Sequence, residues 1–599
     1  MATHRVSIWP LLWQMLSYAP RLYGADTFLW LFIAGLPAIP GLIIREFFNT
    51  LTAKSDFSLS PWVWIALFLA TGIARIVAIL TGRITKTQHR FTMSALIRRN
   101  LLAKLLERPG GEPLIASGKP DALLSPGEAI GFFRDDATQI EDMVVGTNEI
   151  LGEGVFAVGS LLLLLSVNAQ ITLFVFLPLA FIAALVHLLT NRIKRYRRAS
   201  RQATQQVTGL IGEIFSAIQA IQVAGAEPTV LDRFQRLCDR RRQLMVQDRF
   251  FSTLLDSSFE NLVSLGTGAI LFFAARSMQA DASALSVGDF ALFVYYLSYV
   301  TYFLGFLGSF LALSKQTEVS FERMEGFLGC EAKEIASHHP LYLPTLTGNR
   351  PQLNALQLPQ ECDRLQALEA LNLTYRYPGT DRGITDVCLR LERGSFTAIT
   401  GPIGSGKTTL LKALIGLLPL QAGEIYWNAQ KVTHPHQFFV PPRSAYTPQV
   451  PQLFSGTLRD NITLGLNYTD EQLQWAIALA AFDRDLAMMP DRLDTVIGSR
   501  GMRLSGGQLQ RASAARMFLR QPELLVFDDL SSALDIETEQ TLWSGLFALT
   551  ASSATWMPTC LVVSHRRAVL QRADNIILLN NGRVETIGSF NDLPSIYVQ

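Results

Sequence analysis

The stretch "FTAITGPIGSGKTTLLKALIGLL" sets Gly401, Gly406, Lys407 and Thr408 at the G-x-x-x-x-G-K-[ST] spacing. Glycines let successive backbone N–H groups curl around phosphate oxygens, and the N-terminus of the helix that follows adds its positive dipole end. Lys407 would neutralise the terminal phosphates, and the Thr408 hydroxyl would reach Mg²⁺. Gly404, Ser405 and Thr409 complete the expected nucleotide contacts of this loop. Further on, "LLVFDD" ends an apolar run in two acids, where Asp528 can hold the same Mg²⁺ and Asp529 then stands next to the γ-phosphate. The chemistry implied is binding of ATP with Mg²⁺ and attack on its last phosphate.

Positioning such residues takes a strand before the glycines, a helix after them and a buried strand beneath the acids, an α/β arrangement. That unit accounts for only part of the chain. At 599 residues the sequence exceeds what one core organises, so two or more domains are expected. Hydrophobic residues make up 49% and charged residues 17%, and mean hydropathy is +0.24, too apolar for an ordinary soluble protein. The apolar excess lies before about residue 315. The expected division is an interfacial helix at 1–26, a six-helix membrane domain at 27–325, a linker at 326–364 and a nucleotide-binding domain at 365–599.

Six segments are long and apolar enough to span a bilayer: 27–51, 61–82, 146–167, 170–191, 258–279 and 286–314. The preceding "SIWPLLWQMLSYAP" has the Trp/Leu pattern of a helix lying in the interface. Stretches 83–145 and 192–257 are rich in Arg and Lys, while the alternate connections hold only Lys54, so both termini are expected in the cytoplasm. The two long inner connections predict membrane helices prolonged into the cytosol as rods. A net charge of +2 gives no reason to expect a nucleic-acid partner, and "RIKRYRRASR" (192–201) follows an apolar helix, where it reads as an orientation signal. The five cysteines have no CxxC spacing and suggest neither disulfides nor zinc. Arg45, Glu46, Arg75, Glu149, Glu153, His187 and Glu260 are polar groups within or at the ends of spans, either paired in the bundle or facing cargo. The last span is crowded with Tyr and Phe, which suits an amphiphilic or aromatic cargo. In the linker, His338 and His339 read as part of a surface connection.

"LSGGQLQR" (504–511) resembles the signature of the ABC ATPases, and Tyr377 in "YRYPG" resembles their adenine-stacking aromatic. Gln449 is similar to the Q-loop glutamine, "SALD" (532–535) to the D-loop and His565 to the switch histidine. Six spans followed by one such domain resemble an ABC exporter half-transporter; 126–142 and 217–234 resemble its intracellular loops. The resemblance implies that Ser505, Gly506, Gly507 and Gln508 bind ATP held by a second half-transporter. It implies that Gln449 contributes to the metal site and that Asp529, Gln449 and His565 serve hydrolysis. The expected protein is a multi-pass bacterial inner- or plasma-membrane subunit that exports a small molecule, lipid or peptide across a lipid bilayer. Uptake of a metal chelate, or an ATP-gated channel or regulator, stands as the alternative.

Two departures are visible. Asp529 occupies the place of a glutamate that polarises the attacking water in active members, and it is one methylene shorter. This favours a heterodimer with one weakened site over a slow homodimer. Ser499 stands where exporters often have a glutamate.

Overall fold

The computed structural model describes residues 7–55, 57–111, 126–174, 176, 199–200, 203–204, 206–215, 217–280, 286–341, 364–498, 504–530, 534–551 and 556–592. The chain divides into two compact units, residues 1–102 with 125–341, and residues 103–124 with 342–599.

The first unit is helical. Its helices are α1 (Ile8–Leu16), α2 (Pro20–Gly35), α3 (Ala38–Leu51), α4 (Pro61–Glu107), α5 (Pro126–Gly131), α6 (Ala137–Val167), α7 (Ile218–Val223), α8 (Glu227–Ala280), α9 (Val287–Leu328) and α10 (Ala332–Ile335). A π-helical turn at Phe132–Asp136 joins α5 to α6. Among the described residues, four helical stretches are long and apolar enough to cross a membrane: Pro20–Leu51, Pro61–Glu107, Ala129–Val167 and Val287–Leu328. Expected span 258–279 forms the end of α8. Most of 170–191, with His187, lies outside the described residues, as does the Glu260 side chain.

The first span differs from its expected form. It starts at Pro20, ahead of residue 27, and is interrupted between α2 and α3 at Leu36–Pro37. Pro37 and Pro40 lack the N–H groups that would carry the hydrogen-bond ladder through this point. In contrast α4 runs unbroken for 47 residues, about 70 Å at 1.5 Å per residue, more than twice a hydrocarbon core. Helix α1 buries Leu12 and Met15 and exposes Trp9 and Trp13, an amphipathic surface suited to an interface. The His338 ring meets the Gln14 carbonyl and Ser17 Oγ, and Tyr18 donates to the His339 carbonyl, so this surface connection is tied back to α1.

Charge pairing holds the rods together. Arg98 and Arg90 both reach the buried Glu141, and Asp136 accepts from Ser320 Oγ at 2.8 Å and Arg323 at 3.0 Å, joining α6 to α9. Lys86 pairs with Glu149. Asp26 and His89, both fully buried, lie 3.4 Å apart, and Asn148 donates to Asp26 at 2.7 Å. At the opposite end of α3 and α9, Arg45 meets Asp289 at 2.6 Å beside a close backbone approach at Gly288.

The second unit is built on a six-stranded sheet in the order β12-β11-β3-β10-β9-β6. Its members are β3 (Phe396–Thr400), β6 (Ser444–Thr447), β9 (Leu524–Asp528), β10 (Thr559–Val563), β11 (Asn575–Asn580) and β12 (Arg583–Gly588). The first five pair in parallel and β12 is antiparallel. Every residue of β3, β9 and β10 is buried, which explains why β9 and β10 read as mostly apolar runs and why the only strongly polar side chain among the three strands is Asp528 at the end of β9. A second, antiparallel sheet orders β2-β1-β4-β5, with β1 at Ala367–Arg376, β2 at Gly383–Glu392, β4 at Ala422–Trp427 and β5 at Gln430–Lys431. Helix α11 (Lys407–Leu414) packs its Leu410, Leu411 and Leu414 into the core shared by the two sheets.

A methyl group added at Gly288 would stand 2.2 Å from the Arg45 carbonyl oxygen and 2.4 Å from Asn49 Oδ1. Gly288→Ala is therefore expected to lower the thermal unfolding midpoint of the detergent-solubilised chain, by the equivalent of about 1–3 kcal/mol. Gly159→Ala, which meets nothing within 4 Å, should change it little.

Candidate functional site

Because β3, β10, β9 and β6 run parallel, their carboxyl ends come to one edge of the sheet, where open α/β folds place their ligands. The loop after β3 carries the glycines, β9 ends on Asp528, β10 leads to His565 and β6 leads to Gln449. One edge thus gathers groups scattered over some 165 positions.

The loop needs its glycines. Gly401, Gly404 and Gly406 have φ values of 143°, 83° and 98°, and a Cβ at Gly401 would lie 2.0 Å from the Leu579 carbonyl oxygen. Lys407 Nζ donates to the carbonyls of Gly401 at 2.9 Å and Pro402 at 2.8 Å, folding over the loop. Partial burial lowers its pKa, and Asp528 and Asp529 oppose that shift. Ser405 is buried and its Oγ has no hydrogen-bond partner. A cavity of about 430 Å³ opens here, lined by Tyr377, Thr380, Arg382, Gly383, Gly404, Gly406, Lys407, Thr408 and Thr409. Tyr377 Oη lies 3.4 Å from Thr409 Oγ1, so the expected adenine-stacking ring and the phosphate loop share one space. The positive-φ cradle, the Lys407 ammonium and the unpartnered Ser405 hydroxyl fit a nucleotide polyphosphate.

Asp528 is 2% exposed. Thr408 Oγ1 donates to its Oδ1 at 3.0 Å and Tyr446 Oη to its Oδ2 at 3.3 Å. Burial raises the Asp528 pKa, while these two hydrogen bonds hold it down. A hydroxyl oxygen beside a carboxylate, both hard donors, fits Mg²⁺. Gln449 does not join that pair; its Nε2 donates to Asp529 Oδ2 at 3.4 Å.

Asp529 has φ 53°, left-handed backbone that aspartate visits more readily than most residues. Its N–H donates to the Val563 carbonyl at 3.2 Å, which ties it to the end of β10. Near it, partial burial and the Lys407 charge lower the His565 pKa, against the opposing pull of Asp529, so the imidazole is neutral at pH 7.

The signature residues form a separate feature. Ser505 caps α12 (Gly506–Leu519), its Oγ accepting from the Gln508 N–H while Gln508 Oε1 accepts from the Ser505 N–H. Gln508 Nε2 also donates to Asp485, which Arg511 grips at 2.6 Å. No residue of Ser505–Gln508 lines the cavity above Lys407. Ser499, Ser532 and Ala533 lie outside the described residues.

Tyr446, Thr380 and Arg382 were not anticipated. Tyr446 stands three positions before Gln449, but nothing in its local pattern distinguishes a strand tyrosine that touches Asp528 from one that packs in the core.

The pattern described as "ABC transporter transmembrane region" matches residues 27–304, and the one described as "ABC transporter" matches 384–532. An ATP-dependent lipid A-core flippase of Xanthomonas oryzae pv. oryzae is 26% identical over 545 residues, covering 89% of this chain and 85% of that protein. Proteins of the same description from Chromobacterium violaceum and Thiobacillus denitrificans are each 26% identical over 538 residues, covering 88% and 89% of this chain and 84% and 86% of theirs. The structure of a bacterial Atm1-family ABC exporter with ATP bound matches with a TM-score of 0.74 at 20% identity, covering 96% of both chains. That likeness is one of fold.

Tyr446→Phe removes one of the two hydrogen bonds that satisfy a buried carboxylate. It is expected to lower stability in the absence of nucleotide by about 1–2 kcal/mol, read as a reduced unfolding midpoint. Ser444→Ala, which deletes a buried hydroxyl with no hydrogen-bond partner, should leave the midpoint unchanged or raise it.

Proposed function

The chain belongs to the ABC transporters as a half-transporter of the exporter type, and from that premise we propose that two such chains close head to tail around ATP to move an amphiphile across the bacterial inner membrane. It is a membrane protein whose ATPase domain binds ATP and drives transport by hydrolysis. The observation that carries the dimer is the separation of its nucleotide motifs. Tyr377 and the phosphate loop line one cavity, while the Ser505-capped end of α12 lies apart from it. A second chain in opposed orientation supplies that helix end to the exposed phosphates, where its N–H groups and dipole favour negative charge.

In this reading Tyr377 stacks on adenine. Gly401, Gly404, Ser405, Gly406, Lys407 and Thr409 hold the phosphates, and the partner's Ser505, Gly506, Gly507 and Gln508 cap them. Thr408 and Asp528 hold Mg²⁺, which when bound with ATP offsets the phosphate charge, and Gln449, whose Nε2 donates to Asp529, turns its Oε1 to the same ion. Asp529 orients the attacking water and the neutral His565 contacts the γ-phosphate. Tighter binding of ATP by the closed pair than by the open one shifts the population towards closure and turns the transmembrane cavity from the cytosol to the outside. The basic inner connections support a cytoplasmic position for both termini. The relatives named as lipid A-core flippases support an amphiphilic lipid as cargo.

Asp529 supports asymmetry. With one methylene fewer than glutamate, its carboxylate stands on the order of 1 Å short, and a displacement of that size can lower a rate about 10²-fold. Its contact with Gln449 keeps it at the site without lengthening it. We therefore read this chain as the weaker half of a heterodimer whose intact signature serves the partner's nucleotide.

ATP turnover of the chain alone should be slow and should rise about 10–100-fold in Asp529→Glu. Brisk turnover of the unpaired chain, unchanged by that substitution, would remove the weakened site and favour a homodimer. The neutral form of His565 should persist to below its ordinary pKa of 6.5 as acid is added. Profiles of kcat/KM for ATP, which report the nucleotide-free protein, of wild type and His565→Gln from about pH 5 to about pH 8 should differ by an acid limb that is present only in the wild type and begins below neutrality.

A further inference from the structure

Several charged groups along the membrane-domain helices have ion-pair partners: Lys86 with Glu149, Arg90 and Arg98 with Glu141, Arg45 with Asp289. Two are different. Among the described residues, Arg75 on α4 has a buried Nε with no hydrogen-bond partner, and its Nη1 reaches Tyr299 Oη at 3.4 Å. Glu153 on α6 has no ion-pair or hydrogen-bond partner among the described residues, and the charges acting on it are Arg75 and Glu149. Both side chains line one cavity of about 360 Å³, together with Pro37, Ser298, Tyr299 and Tyr302. Its size lies within the range of small-ligand pockets, about 300–1,000 Å³.

Their depth also agrees. Arg75 and Glu153 are each seven residues from the cytosolic end of their expected spans, 82 and 146, which is about 10 Å into the inner leaflet at 1.5 Å per residue. An unpaired charge at that depth is costly and marks a site that something else satisfies. Two of opposite sign in one cavity are not satisfied together by a purely anionic or a purely cationic ligand, because each such ligand is repelled by one of them. Tyr299, whose Oη lies 3.4 Å from Tyr295 Oη, adds a polar group to the lining beside Arg75, while Ile33 and Ala34 add apolar surface.

We infer that Arg75 and Glu153 form a head-group subsite for a zwitterionic amphiphile, in which the guanidinium takes an anionic phosphate or carboxylate and the Glu153 carboxylate takes an ammonium group. The inference rests on the reading of the chain as an exporter of amphiphiles and adds the charge pattern of the head group. Planar guanidinium suits two-point contact with phosphate oxygens. The Tyr302 hydroxyl offers a further polar contact, and acyl chains would follow the apolar side towards the bilayer.

The test measures binding to the full chain in detergent, in the assembly in which it purifies. The probes are short-chain phosphatidylethanolamine, short-chain phosphatidylglycerol, an alkylammonium amphiphile, and glycerophosphoethanolamine as the head group without a lipid. Wild type should prefer the zwitterionic lipid; binding of glycerophosphoethanolamine with equal affinity would assign the site to a soluble zwitterion and overturn the amphiphile. Glu153→Gln should lower affinity for phosphatidylethanolamine about tenfold and turn the preference to phosphatidylglycerol. Arg75→Gln should turn it to the alkylammonium probe. Arg75→Lys and Glu153→Asp should restore much of the wild-type pattern, and so should the exchange Arg75→Glu with Glu153→Arg. An unchanged order of preference in both single variants, or equal loss of all probes with no rescue by the conservative variants, overturns the subsite and leaves a structural charge pair. ATP-driven lipid movement in reconstituted vesicles is scored separately. Its absence for every lipid alongside the expected binding pattern would count against export and leave the subsite standing.

Discussion

Thr408 and Asp528 are 120 positions apart in the chain and 3.0 Å apart in the fold, and the nucleotide site depends on that hydrogen bond. It joins the start of α11 to the end of β9. Burial makes the Asp528 carboxylate costly to keep charged, and the hydroxyls of Thr408 and Tyr446 offset that cost by occupying both of its oxygens. The same donors leave the site poised for a hard cation, since all the atoms turned towards one another are oxygens. The glycines before Lys407 serve the same geometry: with a side chain at Gly401 the loop would collide with the Leu579 carbonyl, and Thr408 would no longer meet β9.

The membrane unit obeys a comparable constraint on charge. Along the polar parts of α4 and α9 and the start of α6, pairs such as Arg98 with Glu141 and Arg323 with Asp136 let polar rods pack without stranding buried carboxylates. Deeper in the bundle the pairing gives way to tyrosine hydroxyls and to the cavity between Arg75 and Glu153. The change follows the solvent. Beside water a loose ion pair is screened, whereas within a bilayer a charge needs a partner, and a bundle that carries polar cargo can leave that place to the cargo.

Much of this was legible in advance because the signals are local. The phosphate loop is eight residues of fixed spacing, the buried strands are short apolar runs, and the rods show as helix-compatible polar stretches after apolar ones. Where the reading and the structure part, the cause is equally physical. The first span was placed at 27–51 from hydropathy alone, which does not register that a helix starts well at Pro20 or that Pro37 breaks the ladder inside it. Gln449 is expected at the metal, and its Nε2 also meets Asp529, a contact between side chains 80 positions apart of which local spacing carries no record. Tyr446 went unnoticed because a tyrosine in a strand packs in the core more often than it touches a carboxylate.

The sequence by itself determined that this chain crosses a membrane, that it holds ATP, and that Asp529 is a short acid in the place of a longer one. Those conclusions need only residue identity, spacing and hydropathy, which survive without coordinates. The tertiary structure alone decided that β9 lies between β10 and β6, which brings Tyr446 onto Asp528, and that α4 and α6 turn Arg75 and Glu153 into one cavity. Strand order and helix rotation are settled by packing between residues far apart in the chain, and local periodicity carries no record of which faces will meet.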